Sequence, residues 1–239
     1  MLQDTLSVFK TYCEAALSLV FPIKCAVCDC IDTKYICENC TSKFQVLGDQ
    51  ICRICGAPSL TDKCRNCIND PPSFTSARAV AVFENELRTA IHAMKYYGIQ
   101  PVAKELSEMM INFALAHPAF FSKVDLIIPV PIHIRRERLR GFNQAVLLAE
   151  PLSRALSIHM DKKALVRNKS RRPQVDLTRE QRIANVQGVF TVRYPEVVRG
   201  KNIMLVDDVL TTGSTADSAS RELLKAGAKS VCVFTAARD

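Results

Sequence analysis

Ile203-Met204-Leu205-Val206-Asp207-Asp208-Val209-Leu210-Thr211-Thr212-Gly213-Ser214-Thr215 is the stretch that decides how this chain folds. Ile203–Val206 is a short continuous apolar run, as a strand buried on both faces requires. Two carboxylates end it, a short polar loop with one glycine follows, and Ser214–Ala226 has helical spacing closed by Gly227. Amides at a helix N-terminus, backed by the helix dipole, attract anions. Gly213 lets the backbone approach a phosphate without a Cβ in the way, and Thr211, Thr212, Ser214 and Thr215 add hydroxyl donors. Asp207 and Asp208 at the strand end suit the paired hydroxyls of a ribose, and open α/β sheets bind ligands at this edge. A lone Asp would read as a helix cap; the whole pattern reads as a ligand loop. The chain has no G-x4-G-K-[ST] and no G-x-G-x-x-G, which excludes the nucleoside-triphosphatase loop and the dinucleotide fingerprint.

Working outward, Val124–Val130 and Ser230–Thr235 read as further buried strands, Ala164–Val166 and Gly188–Val192 as short ones, and Ala77–Phe83 as a first strand. Asn85–Tyr97, Val102–Leu115 and Asn143–Leu156 have helical apolar spacing. Alternating strands and helices predict an α/β domain: a mostly parallel sheet flanked by helices. Residues 168–185 lack apolar periodicity and read as a long loop, of the kind that is functional or disordered. Asp70-Pro71-Pro72-Ser73 marks a domain boundary. The expected organisation is an amphipathic helix over residues 1–20, a cysteine-rich module over 21–72 and the α/β domain over 73–239.

Charge narrows the partner class. Between Pro131 and Arg172 eleven basic residues face three acidic ones, so the excess there, +8, equals that of the whole chain. An anionic partner is expected at that place, the phosphates of a small molecule or of nucleic acid. The chain has no run of about 18 apolar residues, so no membrane insertion is expected. Ala15–Phe21 lacks a basic leader and a cleavage site, which predicts a cytoplasmic location.

Disulfides do not persist in the cytosol, so the eleven cysteines read as thiols or metal ligands. Cys25-x2-Cys28 and Cys37-x2-Cys40 recur, with identical spacing, as Cys52-x2-Cys55 and Cys64-x2-Cys67. Two C-x2-C turns close a tetrahedral four-thiolate zinc site with no open position, and its binding energy is folding energy. One or two structural zinc ions are expected. Sequential pairing fits the repeat best, and interleaved pairing fits the same spacing. Cys30 is out of register and reads as a spectator; Cys13 and Cys232 read as small core residues.

The 203–215 segment resembles the phosphoribosyl-pyrophosphate motif of type I phosphoribosyltransferases. Ile128-Pro129-Val130-Pro131 with Arg140-Gly141-Phe142-Asn143-Gln144, Arg172-Pro173-Gln174-Val175, and the cysteine repeat extend the resemblance to the ComF (competence protein F) family. The resemblance implies a type I phosphoribosyltransferase-like sheet behind an N-terminal double zinc ribbon. By it, Asp207 and Asp208 hold the ribose hydroxyls, Thr211, Thr212, Gly213, Ser214 and Thr215 the 5′-phosphate, and Arg135 and Arg136 the pyrophosphate. Arginine forks grip phosphate oxygens bidentately. Mg²⁺ would accompany phosphoribosyl pyrophosphate, and Arg171, Arg172 and Gln174 belong to the flexible loop. The family also implies single-stranded DNA as a partner, in DNA uptake during natural transformation, with a competence-machinery protein as a further one. The alternative is an active phosphoribosyltransferase with an unidentified acceptor, for which no nucleobase-selecting residue is legible.

Overall fold

The computed structural model of the chain describes residues 22–168 and 188–239. The N-terminal helix read over residues 1–20 therefore lies outside the described residues, as do Arg171, Arg172 and Gln174. Short helices α1 (Glu38–Thr41) and α2 (Arg65–Asn69) sit within the cysteine module. Then follow β1 (Ser76–Val82), α3 (Asn85–Tyr96), α4 (Val102–Ala116), α5 (Pro118–Phe121) and β2 (Leu126–Pro129). After these come α6 (Ile134–Arg140), α7 (Gln144–Leu156), β3 (Leu165–Arg167), β4 (Phe190–Val192) and α8 (Pro195–Val198). The chain ends with β5 (Asn202–Leu210), α9 (Ser214–Lys225) and β6 (Ser230–Arg238).

Four strands form one parallel sheet in the order β1-β6-β5-β2. Strand side chains alternate between faces, and the apolar residues follow that rule. Ile127, Met204, Val206 and Phe234 pack against Leu87, Ile91 and Met94 of α3, Leu106 and Met110 of α4, and Leu148 of α7. Leu126, Ile128, Ile203, Leu205 and Val233 meet Ala219 and Leu223 of α9 on the opposite face. Phe234 lies between Phe113 and Phe121, with ring centroids 5.7 and 4.9 Å away. Complete burial of such a ring stabilises the fold by about 1.5–3 kcal/mol.

Two features depart from the sequence reading. β3 and β4 do not join the parallel sheet; they pair antiparallel with each other, and Leu165 and Phe190 cover the α9 face. β5 also continues past Val206, pairing with β6 as far as Leu210↔Arg238. Val209 and Leu210 still have apolar partners, so the strand runs through the acid pair instead of ending before it.

Candidate functional site

The overshoot of β5 creates the site. β2 pairs with β5 only up to Pro129↔Val206, and a last hydrogen bond joins Val130 N–H to the Val206 carbonyl at 2.9 Å. The chain then turns away into α6. The final four residues of β5 stand at the carboxyl edge with β6 on one side and, among the described residues, no strand on the other. Asp207 and Asp208 occupy the first two of these positions.

Their surroundings differ. Asp208 is buried, and its Oδ1 pairs with Nζ of Lys95 at the end of α3, 2.8 Å away. Its Oδ2 is buried without a hydrogen-bond partner among the described residues. Asp207 is half-buried, and its Oδ1 accepts from the Asp208 amide at 2.9 Å. Burial first, and the charge of Asp208 second, push the Asp207 carboxyl up to about 7. Each acid thus has one oxygen engaged inside the protein. Lys95, in the last turn of α3, thus reaches the sheet edge from a distant segment of the chain.

The loop after β5 delivers the polar residues to α9. Gly213 precedes the first turn at φ 76°, a left-handed conformation in which a Cβ is strained. A Cβ there would approach only Phe74 and Leu210, at 3.7 Å or more, so the backbone angle rather than space calls for glycine. The Thr212 hydroxyl donates to the Ser214 hydroxyl at 3.1 Å. Thr211 and Thr212 are exposed, while Ser214 and Thr215 are half-buried. First-turn amides have no helical acceptor, and this loop borders a cavity of about 450 Å³. The other wall of the cavity includes Cys55 and Cys67 of the cysteine module and Arg221 and Arg238. Asp217, in the first turn of α9, accepts from the Ser73 amide at 2.6 Å and from Arg221 at 2.7 Å.

Arg135 and Arg136 fall on α6, whose N-terminus is capped by the His133 ring nitrogen accepting from the Arg135 amide at 3.2 Å. Both arginines are exposed. Arg140 lies lower, its guanidinium 5.9 Å from the Tyr96 ring centre and hydrogen-bonded to Gln144 at 2.5 Å. Asn143 caps α7 through the Ala145 amide and donates to the Val130 carbonyl, which ties the helix start to the β2 end. Arg238 carries no motif signal. Its place beside Leu210 follows from sheet register alone, and it donates to the Cys55 carbonyl at 2.6 Å.

The thiols converge in two groups, Cys25, Cys28, Cys30 and Cys37, and Cys52, Cys55, Cys64 and Cys67, the sulfurs of each lying within 4.8 Å of one another. Each group draws its thiols from one half of the repeat, with Cys30 rather than Cys40 in the first. A tetrahedron of Zn–S bonds of about 2.3 Å has edges of about 3.8 Å. The Cys28–Cys37 and Cys55–Cys64 separations, 3.7 Å each, match that edge. Cys30, read as a spectator, belongs to the first group, but its sulfur is 3.3 Å from Cys28, shorter than such an edge. Cys40 is buried against the same group, where desolvation and the neighbouring thiols of Cys37, Cys28 and Cys25 push its thiol up. At Cys52, burial opposes ionisation, yet amides of Cys55, Cys64 and Ile54 hold the thiol down at about 6. Amides aimed at sulfur are what a thiolate ligand needs.

Residues 143–239 match the phosphoribosyl transferase domain, and residues 16–69 the double zinc ribbon domain. With the thiol groups, the second match supports structural zinc. The competence protein ComFC of Bacillus subtilis strain 168 is 31% identical, over 85% of this chain and 84% of its own length. The chain belongs to the ComF family. A DNA utilization protein, YhgH of Escherichia coli O157:H7, is 33% identical over 85% of this chain and 90% of its own. Among solved structures, a purine phosphoribosyltransferase from Pyrococcus horikoshii aligns at 19% identity over 56% of this chain and 83% of its own, with a TM-score of 0.36. No described helix is long and apolar enough to cross a membrane.

Proposed function

We propose that this ComF-family chain binds phosphoribosyl pyrophosphate with Mg²⁺ and handles single-stranded DNA during DNA uptake in natural transformation. The observation that carries the first part is the overshoot of β5, which sets an acid pair and a helix-opening polar loop in succession at the sheet's carboxyl edge. Asp207 and Asp208 accept the two ribose hydroxyls; each has one oxygen without an internal partner among the described residues, and because that of Asp208 is buried its carboxylate turns to reach the sugar. Thr211–Thr215 receive the 5′-phosphate through amides and hydroxyls. The exposed arginines Arg135 and Arg136 lie on the helix that follows β2, suited to the pyrophosphate. Carboxylate and phosphate oxygens are the hard donors Mg²⁺ takes; bound there, it would offset charge on the diphosphate. The DNA part rests on the basic segment and on the relatives named for competence and DNA utilization. The cytoplasm is where such a ligand and reduced thiols would meet.

Calorimetric titration of phosphoribosyl pyrophosphate with Mg²⁺ tests the ribose assignment. Asp207→Asn with Asp208→Asn should weaken binding at least about tenfold; unchanged affinity would refute it. Acidity gives a second reading of the same site. With its carboxyl near 7, Asp207 ionises as pH rises from 6 to 8, and affinity should improve by about tenfold over that window. Stability should move the opposite way. The raised carboxyl keeps its proton in the folded state above the ordinary value of 3.8, so its contribution is complete below that value and is lost as pH climbs through about 7. Asp207→Asn should flatten both dependences. Pyrophosphate release on adding an acceptor would instead mark the chain as an active transferase.

A further inference from the structure

Beside the acid pair lies a groove with more aromatic and apolar surface than a sugar phosphate needs. Its volume is about 560 Å³, and Lys95, Tyr96, Tyr97, Arg136, Leu139 and Arg140 line it. Lys95 and Arg136 are shared with the site already described, Lys95 because its ammonium pairs with Asp208 and Arg136 because it is assigned to the pyrophosphate. The rest points outward. Tyr96 is 68% exposed, Tyr97 80% and Leu139 89%, an unusual amount of uncovered apolar surface for one place on a protein. Arg140 lies over the ring of Tyr96, whereas Tyr97 has no ring or cation against it among the described residues. Gly98, at φ 70°, turns the chain sharply just after the two rings. The facing wall is α6, which places Arg135, Arg136, Arg138 and Arg140 on seven residues with Glu137 as its one acid.

We infer that this groove is where single-stranded DNA binds, an unpaired base stacking on Tyr97 and its flanking phosphates lying along Arg136 and the other arginines of α6. The inference rests on the DNA reading above and gives it a location. Aromatic faces beside a positive track are the recurring means of holding single strands without reading sequence, because every base has a π-face and every nucleotide a phosphate. A duplex keeps its bases stacked on one another and leaves Tyr97 nothing to hold. A protein partner would be served by the same tyrosines, but four arginines with one intervening acid match a polyanion better than a mixed-charge surface.

The chain has no tryptophan and five tyrosines, so its intrinsic emission reports on tyrosine. Oligothymidylate should quench that emission. Tyr97→Ala should weaken binding of the labelled oligonucleotide by about fivefold to a hundredfold, the range for one lost base stack. Tyr97→Phe, which keeps the ring, should retain the affinity and lose part of the quenching. Neither should change the titration of phosphoribosyl pyrophosphate or the salt dependence of DNA binding. Arg136→Ala should leave the stack and lower the slope of log affinity against log salt by about one. If the wild-type chain binds no single strand, the DNA reading itself falls and takes the groove with it. If it binds and Tyr97→Ala binds equally well, or loses duplex as much as single strand, the groove is overturned and the DNA reading stands.

Discussion

Cys25–Cys40 and Cys52–Cys67 repeat one spacing twenty-seven positions apart, yet they stand on different neighbours. The first group is fused to the apolar layer: Cys25, Ile36, Cys37 and Cys40 are buried in the cluster that includes Leu87, Ile91 and Leu106. Its polar tie is the Tyr35 amide donating to Glu105 on α4 at 2.9 Å. The second group is fused to the ligand edge. Arg238 reaches the Cys55 carbonyl, the Ala77 amide donates to the Ile54 carbonyl at 2.6 Å, and Cys55 and Cys67 wall the cavity that holds Thr211–Ser214. A duplicated metal knuckle has therefore taken two jobs, set by what it packs on and not by its ligands.

The largest separation between the two should come from breaking each in turn. Cys52→Ser with Cys55→Ser should remove one zinc per chain and weaken phosphoribosyl pyrophosphate at least about tenfold, because a wall of the cavity proposed for the 5′-phosphate goes with the metal. Cys25→Ser with Cys28→Ser should also remove one zinc and lower the melting temperature, while leaving affinity within about twofold. Metal analysis and calorimetric titration on the same samples decide it. Equal losses of affinity would erase the distinction.

Much of this was legible before any coordinates. Apolar runs at Val124–Val130 and Ile203–Val206 demanded buried parallel strands, and the doubled C-x2-C spacing demanded a metal module; both are present. The site was legible as a segment and illegible as a constellation. Asp208 meets Lys95 from a helix more than a hundred residues earlier, and Arg238 meets Cys55 through register; neither contact leaves a local pattern. The overshoot of β5 did leave one, in apolar Val209 and Leu210 after the acids, but two charges read as an end. β3 and β4 alternate too briefly for periodicity to say which sheet they join. Tyr96 and Tyr97 look like the tail of an amphipathic helix until exposure shows both rings uncovered.

Glycine substitutions sharpen the contrast at the ligand edge. Gly56 turns the second knuckle at φ 70°, and a Cβ there would lie 2.7 Å from the Ala77 carbonyl oxygen. Gly56→Ala must therefore strain the turn and push the ribbon off β1, costing at least about 2 kcal/mol. Gly213→Ala shares the positive φ and meets only ordinary contacts, so about 1 kcal/mol is expected from the backbone alone. Urea unfolding of the two variants gives the difference. Equal costs would mean that the ribbon does not press on β1 as the structure shows.

The smallest effect belongs to the first group's polar tie. Glu105→Ala removes the acceptor of the Tyr35 amide, a loss of about 1 kcal/mol for a partly buried bond. It also removes Oε2, which is buried with no partner among the described residues, and shedding an unsatisfied oxygen returns part of that loss. The net change in thermal unfolding should be about 1 kcal/mol or less, with zinc content and ligand affinity unmoved, because among the described residues the cavity beside the 211–215 loop is walled by the second knuckle and not the first. A drop in phosphoribosyl pyrophosphate affinity in this variant would show that the first knuckle communicates with the sheet edge through α4, and the two clusters would then share one job.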